Sequence, residues 1–155
     1  MPEENKIERP SPQSLELVTT IVEGFFKKVN VDVTANRIQM PTGAGWSILK
    51  GSAVIYIYVQ KVCGTDTLRL VSPILYLPHD NLLAFYRRCL EVNYSMLSCA
   101  FAVDKDLLFV VSERAVEGVD DREFEVLMTQ VGWVSDKFDD ELAAEFNAKL
   151  ASAQR

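Results

Sequence analysis

Histidine is almost absent from this chain: His79 is the sole imidazole among 155 residues. A general base needs a nucleophile and an orienting partner in reach, and no spacing around His79 suggests either. Placed directly after Pro78, it reads as an ordinary residue at a helix start. One histidine is also a poor nitrogen set for zinc. Cysteine is scarce as well. Cys63, Cys89 and Cys99 are odd in number and lack CxxC spacing, which argues against a disulfide framework or a thiolate metal site. Cys89 and Cys99 read as small core hydrophobes, and Cys63, near a turn, has no neighbouring base to activate it.

Phosphate loops are missing too. Thr42-Gly43-Ala44-Gly45 matches neither GxxxxGK[ST] nor GxGxxG, and it leads into a strand where a phosphate loop leads into a helix. The longest apolar stretches, such as Ala53 to Val59, fall far below the ~20 residues that span a bilayer. No apolar segment follows Met1-Pro2-Glu3-Glu4-Asn5-Lys6, so a secretory leader is not expected, nor is a membrane partner; the expected address is the cytoplasm. A basic footprint is lacking: residues 13–119 hold ten acids and ten bases, and residues 120–155 hold nine acids against four bases. Direct nucleic-acid binding is therefore not expected. Asp136, Asp139, Asp140 and Glu141 do not follow the spacing of a calcium loop. They read as the solvated side of an amphipathic helix, with Asp136 and Asp140 on one face. The expectation is a protein without catalytic residues, cofactor or metal.

What the chain does contain is core material. It is 48% hydrophobic and 10% aromatic, enough for one globular domain of this length. Residues 1–11 read as a disordered polar tail, 12–147 as one domain, and 148–155 as a frayed end. Ser11-Pro12 has the form of a helix start, followed by Leu17, Val18, Ile21, Val22, Phe25, Phe26 and Val29 at helical spacing, so a helix is predicted over 12–29. Strands are predicted over 33–40, 46–50, 53–62 and 67–76, with Gly64-Thr65-Asp66 closing a hairpin. Pro73 inside the last of these predicts an edge position or a bulge. A second helix, with Asp80 as a plausible cap, is expected to run to about Asn93 with Leu82, Leu83, Tyr86, Cys89 and Leu90 as its apolar set. An antiparallel pair over 97–103 and 107–113 follows. The last helix opens at Asp120-Asp121-Arg122-Glu123, a capping-box pattern, and carries Phe124, Leu127, Met128, Val131, Val134, Phe138, Leu142 and Phe146 as one stripe. The order α-β-β-β-β-α-β-β-α, dominated by hairpins, predicts an α+β fold with a twisted antiparallel sheet.

One strand departs from the usual alternation. In 53–62, Ile55, Ile57 and Val59 face one side while Tyr56 and Tyr58 face the other. Two readings remain open: helices cover both sheet faces, or one face is an exposed aromatic patch.

Several strings, in this order, resemble the YbjN domain family, whose members are named as bacterial sensory transduction regulators. They are Ser14-Leu15-Glu16-Leu17-Val18, Trp46-Ser47-Ile48-Leu49-Lys50-Gly51-Ser52, Ser72-Pro73-Ile74 with Leu77-Pro78, Leu90-Glu91-Val92-Asn93, and Asp136-Lys137-Phe138-Asp139-Asp140-Glu141-Leu142. That family is similar in fold to type III secretion chaperones. The resemblance implies a chaperone-like sheet with helices packed on it, a homodimer, and the holding of partner-protein segments on apolar surface, with no catalytic residue to carry over. The expected function is thus a non-catalytic, protein-binding or chaperone-like regulator acting as a homodimer. Tyr56, Tyr58, Leu83, Tyr86 and Leu90 are the expected partner- or dimer-binding residues. The alternative is a small-molecule sensor with its ligand between sheet and helix.

Overall fold

A computed structural model describes residues 13–151. The order is α1 (Gln13–Lys28), β1 (Arg37–Ile38), β2 (Ala44–Lys50), β3 (Ala53–Val62), β4 (Thr65–Tyr76), α2 (Leu82–Ser95), β5 (Ala100–Asp104), β6 (Leu107–Ala115) and α3 (Asp121–Phe146). The six strands form one antiparallel sheet in the order β1-β2-β3-β4-β6-β5. This is the α+β architecture expected from the chain, element for element.

The sheet is built from tight connections. Cys63 and Gly64 both take positive φ between β3 and β4, the geometry of a two-residue hairpin turn whose twist matches the strands. Pro73 cannot donate to a ladder, yet β4 lies between β3 and β6. The conflict is resolved by a register shift between Pro73 and Leu75, so of the two expected outcomes the bulge is the one found.

One sheet face carries the core. Ile55, Ile57 and Val59 on β3, Leu68 and Leu70 on β4, and Leu108 and Val110 on β6 are all buried. Onto them pack Val18, Ile21, Val22 and Phe26 of α1 and the α3 stripe from Phe124 to Leu142. The two helices meet at Phe25 and Phe124, edge to face with centroids 5.4 Å apart. Each fully buried aliphatic or aromatic side chain of this set contributes ~1.5–3 kcal/mol of transfer free energy.

Several local expectations need correction. Strand β1 is only Arg37–Ile38, not 33–40, because Asp32 accepts a hydrogen bond from the Ala35 amide at 2.7 Å and turns the backbone there. Asp80 does not cap α2; Asn81 precedes the helix in the left-handed region with no side-chain cap. Asp120 does cap α3, its carboxylate accepting from the Glu123 amide at 2.7 Å. The Glu123 side chain, however, does not reach back to form a capping box, since it is drawn off by Arg114. Within the stretch expected to fray from 148, the Tyr76 amide donates to the Lys149 carbonyl at 2.8 Å, and Leu150 bridges Leu75. The tail over 1–11, the Ser11-Pro12 helix start and residues 152–155 lie outside the described residues.

Candidate functional site

The opposite face of the sheet has no helix on it among the described residues. Strand register lays its side chains out in rows. In one row Ser47 stands beside Tyr56, Tyr56 beside Val71, Val71 beside Val111, and Val111 beside Ala100. A second row runs from Leu49 and Val54 on one side to Pro73, Phe109 and Ala102 on the other. A third is polar, Tyr58 beside Arg69 and Arg69 beside Glu113. Because antiparallel neighbours share a face, these residues form one continuous surface of two apolar rows bordered by a charged one. Most are half-buried by their neighbours alone; Leu49, Ala100, Ala102 and Glu113 are exposed.

A concavity of about 310 Å³ lies on this face, walled by Met40, Tyr58, Val71, Phe109, Val111 and Arg69. Met40 lies over Gly45, where a Cβ would meet its sulfur at 2.6 Å. Burial raises the Tyr58 phenol above its ordinary value, Tyr56 raises it further, and Arg69 opposes both. Arg69 Nε lies 3.3 Å from Glu113 Oε2, near enough for an ion pair. Its angle is too poor for a hydrogen bond, so Nε makes none.

A second apolar surface lies on α2. This helix buries Phe85, Cys89 and Val92, and Phe85 meets Phe146 of α3 edge to face at 5.2 Å. The outward side then carries Leu83, Leu90 and Tyr94, at 84%, 68% and 96% exposure, with Leu97 at 70% just past the helix end. The spacing of seven and four residues puts Leu83, Leu90 and Tyr94 on one stripe of the helix. Asn93 ties α2 to the sheet edge. Its Oδ1 accepts from the Phe101 amide at 2.7 Å and its Nδ2 donates to the Phe101 carbonyl at 3.3 Å.

The five residues singled out from the sequence are therefore divided. Tyr56 and Tyr58 sit on the bare sheet face, Leu83 and Leu90 on the outward stripe of α2. Tyr86 is half-buried beside Phe85, with centroids 6.0 Å apart, and belongs to the margin of the core. The apolar set proposed for α2 mixed its two faces, and Phe85 and Val92 were missed as its anchors. Tyr94, Leu97, Val71, Phe109 and Val111 were also missed on the surface side. The alternation of β4 and β6 was the available signal for the last three. A groove does run between helix and sheet, of about 390 Å³ beside Leu15, Thr19, Thr20, Ala44 and Val59. Two of its polar groups are already engaged, Thr20 with the Glu16 carbonyl at 3.0 Å and Arg37 with Glu23 at 2.8 Å.

Nothing among the described residues groups three or more His, Cys, Asp or Glu side chains around a metal-sized space. His79 and Cys63 are exposed. Cys89 is buried, and burial pushes its thiol up to about 11. Burial raises the half-buried Cys99 thiol as well. No helix among the described residues is long and apolar enough to cross a membrane.

Comparison with known proteins places this geometry. The sequence model of the family described as YbjN, "Putative bacterial sensory transduction regulator", matches residues 20–144. No curated protein matches the sequence. Among solved structures, the ExsC–ExsE complex superposes with a TM-score of 0.62 at 10% identity, covering 81% of this chain and 92% of that one. The type III secretion chaperone SycH of Yersinia pestis, in complex with a fragment of YscM2, gives 0.52 at 15% identity, covering 76% and 96%. YbjN of E. coli gives 0.50 at 11% identity, covering 83% and 92%. At such identities these likenesses establish the fold: it is that of type III secretion chaperones.

Proposed function

The chain belongs to the YbjN family, and from that premise we propose that it is a non-catalytic, chaperone-like regulatory domain that binds protein and acts as a homodimer. The observation that carries this reading is the bare outer face of the sheet. Apolar and aromatic side chains, the row Tyr56-Val71-Val111 with the pairs Leu49-Val54 and Pro73-Phe109 on either side of the sheet, stand where a second layer would pack. A six-stranded sheet leaves such a face open only at a cost in solubility unless something covers it. The mixture of apolar centre and charged border, Arg69 with Glu113, has the anatomy of an interface. The fold supports the same reading, since the ExsC–ExsE structure is a complex and the type III secretion chaperone SycH is seen with a stable fragment of YscM2.

The competing sensor reading fares less well. The groove between α1 and the sheet is open, and Thr20 and Arg37 on its rim already have partners.

Light scattering behind a sizing column tests the proposal. Wild-type protein is expected at twice the 17.5 kDa chain mass, and Tyr56→Ser/Tyr58→Ser at a lower mass with its circular dichroism retained. A wild-type monomer at all concentrations overturns the homodimer. A double variant that stays dimeric and folded removes the two tyrosines from the interface.

A further inference from the structure

Strand β4 outruns its neighbour on one side. β6 accompanies it to the end, through Tyr76↔Leu107, but β3 pairs with it only as far as Tyr56↔Val71. Over Ser72–Tyr76, ~17 Å at ~3.4 Å per residue, the β3 side of β4 would be an open edge, and open edges recruit further strands. The chain fills this gap itself. Asn147 ends α3 in the left-handed region, φ 51°, and beyond it Lys149 and Leu150 run antiparallel to β4. There the Tyr76 amide donates to the Lys149 carbonyl at 2.8 Å, and Leu150 stands opposite Leu75. The hold is light. Lys149 is exposed, and Leu150 and Ala151 are only half-buried, whereas Leu75 beside them is fully buried.

We propose that residues 148–151 are a detachable strap, a stand-in on the β4 edge that gives way to an extended segment of a partner protein. This rests on the protein-binding reading above and adds a contact to it. Main-chain pairing supplies the affinity of an added strand, and its side chains at alternate positions supply the selectivity. The strap itself shows the pattern that the edge accepts. Antiparallel neighbours share a face, so Leu150 lies with Leu75 on the core side. Lys149 is turned the other way, its Nζ 5.6 Å from the centroid of the Tyr76 ring. Ala148 packs against the core just before them. The partner segment therefore carries a small residue, a base and an aliphatic residue in succession, the base over the Tyr76 ring and the aliphatic residue beside Leu75. A base also suits a chain whose net charge is −6, since opposite charge favours encounter.

Fluorescence anisotropy on the full chain tests this, with a labelled peptide of the sequence 147–155 as the probe. In Leu150→Ser the strap loses its apolar anchor and leaves the edge free. A wild-type edge that is free a tenth of the time or less binds ~10-fold or more weakly than a free one. The variant is therefore expected to take the peptide at least ~10-fold more tightly than wild type. Its Tyr76 amide should exchange faster than in wild type and be protected again by the peptide. A control peptide carrying Lys149→Glu and Leu150→Asp should bind neither protein. No binding to the variant, or equal binding to both proteins, overturns the strap. A variant that gains mass without peptide also overturns it, because a second copy has then taken the edge. If Leu150→Ser does not fold, hydrogen exchange of wild type decides. A Tyr76 amide that opens ahead of those of Leu70 and Val110 supports the strap, and one that opens only with global unfolding overturns it. Each of these failures leaves the homodimer standing, and a wild-type monomer in light scattering overturns the homodimer alone.

Discussion

Replacing Asn93 with alanine isolates a contact that fixes α2 against the sheet. β5 is an edge strand, and its outward backbone groups at Phe101 would otherwise be unpaired. The Asn93 amide meets both, accepting from the Phe101 N–H at 2.7 Å and donating to its C=O at 3.3 Å. Each such bond contributes ~1 kcal/mol net, and a buried group left without a partner costs ~1–3 kcal/mol. Phe101 is only 7% exposed, but the space vacated by the asparagine admits water, which keeps the loss near the lower end. The expected destabilisation is ~2 kcal/mol, or ~4–8 °C in Tm for a domain of this size. Asn93→Asp keeps the acceptor and loses the donor, so it should cost about half as much at neutral pH. The assay is a urea titration with amide hydrogen exchange. Exchange at Phe101 should accelerate about tenfold or more in Asn93→Ala, since each 1.4 kcal/mol of local opening is a factor of ten. A Tm change under ~1 °C together with unchanged Phe101 exchange would refute the reasoning.

Two further outcomes are open to direct measurement. Gly43 has φ +77°, and a Cβ there would meet the Val59 carbonyl at 2.3 Å; Gly43→Ala should lower stability by ~2 kcal/mol or more in urea unfolding, and an unchanged midpoint would show that the 41–45 turn gives way. The Cys89 thiol is raised from 9.0 to about 11 by burial, so its contribution is complete below pH 9 and lost between about 9 and 11 as the unfolded thiol ionises first. Unfolding midpoints should fall more steeply over that window in wild type than in Cys89→Ala, and parallel pH profiles would argue against the shift.

Much of the fold was legible because it depends on local rules. The α3 stripe from Phe124 to Phe146 repeats at the helical period, and Asp120 is a cap by its own chemistry, so both stand without reference to the rest of the molecule. Strand β3 was readable at Ala53–Val62 to the residue, since a turn bounds each end. The family resemblance, carried by short strings in order, agrees with the match over residues 20–144. Weaker signals misled. Val33 to Met40 looked like a strand by composition, but a side-chain contact from Asp32 bends it. Asp80 looked like a cap, but the chain enters α2 through Asn81 in a left-handed conformation.

The candidate surfaces show where sequence stops and tertiary structure takes over. That β3 is apolar or aromatic on both sides follows from alternation alone. Which side is bare does not, because that depends on where α1 and α3 pack. The same holds for α2, whose apolar residues lie all round it: Phe85, Cys89 and Val92 face inward, with Phe146 at the end of α3 packed against Phe85. Leu83, Leu90 and Tyr94 are then left outward. Periodicity states which residues share a face, and only the assembled layers state which face meets water, because burial is a property of neighbours that are distant in the chain.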